Sequence, residues 1–240
     1  MGTVPVRCRA LLLVTVGLGL AACGTPTGGA VPAATALHTA VLATEHRGTA
    51  HFDVSTSVET SPDIRAASSV SEVGVLRFAG PMADYTTLVT GPGLPSPQTR
   101  TVIVGHVVYE GVEIGRALTW RGGGTDSDFP VFGVITAQGL LDADAVTVAG
   151  SGSQGARGTT EFVVHLPGGV IGAGAVHAPP TVSPVDVHAW VGPRGVIVRV
   201  AATVRTEDPQ HVEVTSTSTE TLTDIGGPVA IPVPRTPVAG

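Results

Sequence analysis

Val185-Asp186-Val187-His188-Ala189-Trp190-Val191, then Gly192-Pro193-Arg194-Gly195, then Val196 through Thr206, sets two β-branched runs on either side of a four-residue turn. Valine and threonine suit a pleated, half-buried surface, while glycine and proline supply the reversal, so residues 185–206 read as an antiparallel hairpin. The same grammar recurs on both sides. Gly48 to Glu59 places Phe52, Val54, Thr56 and Val58 on one face and His51, Asp53, Ser55 and Ser57 on the other, the two-residue period of a strand wet on one side. Ser69 to Ala79, Asp84 to Thr90, Thr99 to Glu110, Asp144 to Ala149, Arg157 to Leu166 and the threonine-rich Val212 to Leu222 read as further strands. Ser61-Pro62-Asp63, Gly91-Pro92-Gly93-Leu94-Pro95 and the Gly/Ser run 150–155 punctuate them as antiparallel connections should.

Two segments depart from that period. Ala36 to His46 carries Leu37, Val41 and Leu42 at helical spacing behind Thr35, a residue suited to capping, with Gly48 placed to end the turn. Between Trp120 and Asp144, Asp128-Phe129-Pro130 suits a helix start, and Val131, Ile135 and Leu140 or Leu141 supply an apolar stripe. Many strands with polar outer faces, a few helices and no internal repeat predict one α+β domain: a large curved antiparallel sheet whose apolar side the helices cover.

The amino-terminal end reads differently. Arg7 and Arg9 precede an apolar run, Ala10 to Leu20, too short to cross a bilayer, and Leu20-Ala21-Ala22-Cys23 closes it. This is an export signal, residues 1–22, ending in the tetrad at which a bacterial lipoprotein thiol is acylated and the bond before it cleaved. The expectation is a chain lipid-anchored through Cys23 on the extracytoplasmic face of the cell membrane, with residues 23–35, rich in Gly, Thr, Pro and Ala, as a flexible tether. The domain is expected over 36–227, and 228–240 as a proline-rich extended tail.

Composition narrows the function. The chain has 240 residues and no lysine; without the leader, eleven arginines against nineteen acids leave a net charge of −8. Such a surface does not neutralise phosphates, which excludes nucleic acid as a partner. Cys8 falls in the leader and Cys23 is the lipid acceptor, so the domain has no cysteine for a disulfide or a metal. Gly150-Ser151-Gly152-Ser153-Gln154-Gly155 misses the spacing of a nucleophile elbow, Gly122-Gly123-Gly124 lacks the Lys-Ser/Thr of a phosphate loop, and Gly172-Ala173-Gly174 lacks the third glycine of a dinucleotide fingerprint. Asp126 with Asp128 and Asp142 with Asp144 read as caps and solvated turns, and the eight histidines are scattered. No metal, cofactor or catalytic group is expected.

Several landmarks fall in a characteristic order along nearly the whole mature chain. They are Cys23 in its tetrad; Gly80 to Tyr85 after Leu76-Arg77-Phe78; Val102-Ile103-Val104-Gly105 leading to Tyr109; Trp120; Gly150 before Arg157 to Val164; the hairpin Val187 to Val191 through Gly195 into Val198-Arg199; and Leu222-Thr223-Asp224-Ile225-Gly226 before Val229 to Pro234. In this succession the chain resembles the actinobacterial lipoproteins of the LppX/LprG type, whose fold is similar to the LolA-like half-barrel. The resemblance implies a sheet wrapped around helices and an apolar cavity that takes acyl chains of lipids or glycolipids, and it carries no catalytic residue over. The short, glycine-interrupted segment from Asp128 to Asp144 departs from that pattern.

On this reading Phe52, Val54, Val58, Val75, Val104, Phe132, Ile135, Leu140 and Trp190 are the residues expected to line the interior. The partners expected are the membrane, through the amino-terminal acyl groups, and a lipid or glycolipid ligand. A rival reading keeps the same tethered half-barrel but fills it with side chains, making it an envelope interaction or sensor module that meets a protein partner through an apolar patch around Val170 to Val176.

Overall fold

The computed structural model describes residues 31–60, 67–80, 82–93, 98–105, 107–114, 117–122, 140–141, 143, 145–151, 158–166, 184–207 and 213–234. One helix, α1 (Ala33–His46), is followed by β1 (Thr49–Thr60), β2 (Ala67–Arg77), β3 (Met82–Thr90), β4 (Gln98–Val104), β5 (Val107–Ile114), β6 (Ala117–Gly122), β7 (Ala145–Ser151), β8 (Thr160–Leu166), β9 (Val185–Val191), β10 (Ile197–Glu207) and β11 (Glu213–Thr223). All eleven strands form one antiparallel sheet in the order β6-β5-β4-β3-β2-β1-β11-β10-β9-β8-β7. The chain starts at the middle of the sheet, meanders to the β6 edge, resumes at the β7 edge and meanders back until β11 pairs β1. Among the described strands, every pairing but β1 with β11 joins strands consecutive in the chain.

The strands form because their side chains alternate, and register fixes which side goes inward. Ala50, Phe52 and Val54 of β1 are buried, and they stand in line with Leu76 of β2 and Leu222 of β11. On the far half of the sheet Phe162, Val164, Val187, Ala189, Val200 and Ala202 continue the same buried face. α1 packs its Leu37, Ala40 and Val41 into this cluster, together with Leu140 and Ala143. Burying apolar area at about 25 cal/mol per Å² is the term that holds helix to sheet.

One polar link fixes α1 in register. β10 carries a bulge between Ile197 and Arg199, one extra residue against β9. The bulge turns Ile197 into the core, where it is fully buried. Its N–H donates to Thr44 Oγ1 at 2.9 Å, and the same hydroxyl donates to the Ala40 carbonyl at 2.7 Å. A helix hydroxyl thus satisfies a backbone donor that the irregular ladder leaves over.

Four features differ from the sequence expectation. The helix begins at Ala33, three residues earlier, because Pro32, with φ of −52°, precedes the first turn and its carbonyl accepts the Ala36 N–H; Thr35 is inside the helix and caps nothing. The run Thr99 to Glu110 is two strands, β4 and β5, reversed at Gly105, whose φ of +60° a glycine adopts without cost while valines on either side hide the turn. Strand β6 was not anticipated. Of the helical stripe only Leu140 and Leu141 are described, as helix, so α1 and that turn are the helices among the described residues where a few had been expected. After β11 the chain turns at Asp224, with φ of +46°, and latches onto β1: the Gly226 N–H donates to the Thr49 carbonyl and Thr49 Oγ1 to that of Gly227. The Leu222 to Gly226 landmark is that latch, with Ile225 buried in the core.

Candidate ligand-binding face

The inner face has two halves of different chemistry. From β7 to β10 it is continuously apolar, with Val146, Phe162, Val164, Leu166, Val185, Val187, Ala189, Val200 and Ala202 buried or packed against the core. Across the β1–β11 seam, towards β5, it turns polar. Row by row, Phe52 meets Gly74, Tyr85, Thr101 and Glu110, while Val54 has Glu72 on one side and Glu220 on the other, with Thr87 beyond Glu72. Below them Thr56 Oγ1 donates to Ser218 Oγ at 2.9 Å.

Gly74 shapes this half. A Cβ there would lie 2.4 Å from Tyr85 Cβ and 2.4 Å from the Asp84 carbonyl oxygen, so β2 and β3 approach more closely than any side chain permits. The gap lets Phe52 and Tyr85 meet across the glycine, ring centroids 5.8 Å apart and tilted at 60°.

The carboxyls of this face are perturbed. Glu220 is 2% exposed, its Oε2 has no hydrogen-bond partner, and burial, reinforced by the negative Glu72, pushes its pKa well above the carboxylate range. Glu72 is also raised by burial, opposed by the hydrogen bond that Thr87 Oγ1 donates at 3.1 Å. Burial, then Glu72, pushes the Tyr85 hydroxyl up to about 12. No arginine or histidine pairs with either carboxyl among the described residues.

The expected lining residues divide by register. Phe52, Val54 and Leu140 are in the buried core on the inner side, and Val58 stands half-buried in line with Ser68 and Ser216 on that same face. Val75, Val104 and Trp190 are not brought there. Val75 pairs with His51 and Asp84, Val104 with Met82 and Val107, and Trp190 with Glu161 and Arg199, all rows of the opposite face. The reason is the two-residue period: each stands one position out of phase with an inward neighbour, Gly74, Ile103 and Ala189 respectively. Trp190 is buried nonetheless, under the Arg199 guanidinium at 4.9 Å and the stacked ring of His188. Phe132, Ile135 and the patch from Val170 to Val176 lie outside the described residues, as does Cys23.

The outer face carries solvent-side pairs. Arg100 grips Asp84 with both arms, at 2.8 and 2.6 Å, and lies 5.8 Å from the Trp120 ring; His188 bonds Glu161 at 2.7 Å and His165 bonds Asp186 at 2.5 Å. Glu72, Glu220, Tyr85 and Gly74 are the residues of the inner face that reading the sequence did not single out. Their signal was present as parity, since stepping by two from Leu222 reaches Glu220 and from Leu76 reaches Gly74 and Glu72. A carboxylate in a Ser/Thr-rich strand reads as solvent-facing unless the opposite wall is known.

Among the described residues, an open eleven-stranded antiparallel sheet with α1 against its apolar side forms a half-barrel. Among solved structures the chain is similar to LprF from Mycobacterium bovis, with a TM-score of 0.52 and 16% identity over 84% of this chain and 96% of that one. It also aligns with a LolA superfamily protein from Nitrosomonas europaea, at a TM-score of 0.31 and 9% identity over 81% and 95% of the two chains. A DUF1329 family protein from Desulfovibrio piger aligns at 0.30 and 8% over 81% and 92%. No family model matches the sequence, and no curated protein does.

Proposed function

We propose that this chain is a membrane-tethered lipoprotein, held on the extracytoplasmic face through an acylated Cys23, that binds an apolar ligand, a lipid or glycolipid, between sheet and helix and performs no covalent step. The observation that carries the reading is the unbroken apolar inner face from β7 to β10 against α1, on a sheet whose described strands do not close on themselves. Acyl burial supplies the driving force: ten methylenes at about 0.8 kcal/mol each contribute about 8 kcal/mol before the cost of ordering the chain is subtracted. Cysteine-free outside the leader and Cys23, the domain relies on packing alone, and that same packed face is where a hydrocarbon finds its best solvent.

The test is the mature chain from Cys23 onward, carrying Cys23→Ser so that no acyl group is attached, purified without detergent. Every described residue lies in the compact unit Val31–Gly240, so removing the leader leaves that unit whole. Native mass spectrometry is expected to find co-purified lipid, or uptake of added lipid; persistently empty protein in both experiments refutes the reading. In the native host, Cys23→Ser is expected to move the protein out of the membrane fraction, and a membrane fraction unchanged by the substitution refutes the anchor.

A further inference from the structure

The polar half of the inner face has no role in holding hydrocarbon, yet it holds the most deeply buried acid among the described residues. Glu220 and Glu72 flank Val54 on one row of the sheet, two strands and roughly 10 Å apart at the backbone, on the same face. Hydroxyls of Thr56, Ser218, Thr87 and Tyr85 surround them on adjacent inner-face positions. A buried carboxyl oxygen with no partner is costly, and an opposite charge is what it lacks. Resting on the lipid-binding reading, we infer that Glu220 and Glu72 form a subsite for the ammonium head of an amine-bearing amphiphile, whose hydrocarbon lies along the apolar half while its N–H donors meet the unpartnered Glu220 Oε2.

The geometry suits an amphiphile because acid and apolar wall adjoin. Glu220 is paired across the seam with Val54 and on its other side with Val200, where the apolar half begins. Glu72 and Tyr85, on the same face, are less deeply buried than Glu220. A divalent metal is a poorer occupant, since no group of three ligating side chains gathers among the described residues. The titratable groups on the same inner face are Glu72 on β2, Tyr85 on β3 and Glu110 on β5; β1 and β10 present none there among the described residues, and α1 carries His38, whose Nε2 is buried without a hydrogen-bond partner. An ammonium ion competes with protons for the two carboxyls, so its binding tightens as pH rises.

Decylamine below its micelle concentration and decanol below its solubility limit are the probes, titrated into the detergent-free mature chain with Cys23→Ser at pH 8 and pH 5. Decylamine is expected to bind about ten-fold or more tightly than decanol at pH 8, as a charge-assisted hydrogen bond should provide. The advantage is expected to shrink at pH 5 and to disappear in Glu220→Gln, with Glu72→Gln reducing it, while decanol binding stays. Equal binding of the two probes by the unsubstituted site at both pH values overturns the ammonium subsite and leaves lipid binding standing. Binding of neither overturns both readings. A preference that survives in both glutamine variants overturns the assignment to these residues, and the comparison of probes and pH in the unsubstituted site decides the matter even if a variant fails to fold.

Discussion

Glu220 costs the fold stability so long as no cation meets it, and its linkage has a definite sign. Its folded pKa stands above the unfolded value of 4.5, so the folded state binds the proton more tightly. That contribution is fully present below the unfolded pKa and is lost as pH rises towards the folded value; Glu72 acts in the same sense. The melting temperature is therefore expected to fall between about pH 5 and pH 8, and Glu220→Gln to flatten that slope and raise the melting temperature at pH 8. Scanning calorimetry across the range checks it, and a parallel slope in the variant contradicts it. Thr44 is the opposite case, a polar group that is fully satisfied. Thr44→Val keeps the shape but leaves the buried Ile197 N–H without an acceptor, at an expected cost of about 1–3 kcal/mol by urea denaturation.

At the scale of elements, β2 and β3 depend on what Gly74 lacks. In Gly74→Ala the new methyl meets Tyr85 Cβ and backbone atoms rather than a pliant side-chain tip, so the strands must part and the Phe52–Tyr85 contact loosen. Overpacking of this kind costs about 1–3 kcal/mol, and the near-ultraviolet signal of Tyr85 is expected to change with it. Helix α1 is held by few residues. Leu37 is fully buried, and Leu37→Ala is expected to cost about 2–5 kcal/mol in equilibrium unfolding, because it removes a large side chain from the centre of the helix–sheet core.

Across the whole molecule, the sheet's meander from centre to edge and back places the apolar strands β7 to β10 on one flank and the hydroxyl- and acid-bearing strands on the other. Their junction is the pairing of β1 with β11, the one among the described strands that joins elements not consecutive in the chain, closed by the Thr49 to Gly227 latch. Deleting residues 224–234 removes the latch and buried Ile225, and is expected to expose the seam first, seen as faster amide exchange in β11 than in β3 or β4. If those strands exchange together, the sheet opens as one unit and the seam is no weaker than its neighbours.

The sequence alone determined the α+β class, nine of the twelve regular elements and the antiparallel hairpins, because two-residue alternation and turn residues are local properties written along each strand. It was also enough for Phe52 and Val54, whose flanking polar residues mark the inward phase. Strands β4 and β5 were blurred where a lone glycine among valines carried the reversal, and β6 falls on a stretch with no legible alternation. The placement of Val75, Val104 and Trp190 needed the tertiary structure, because an apolar residue reads as inward until pairing fixes the phase of its strand. So did Glu220: its neighbour Val54 on β1 lies beside β11 only once the sheet closes its central seam, and no local pattern records what will stand across from a residue in the folded chain.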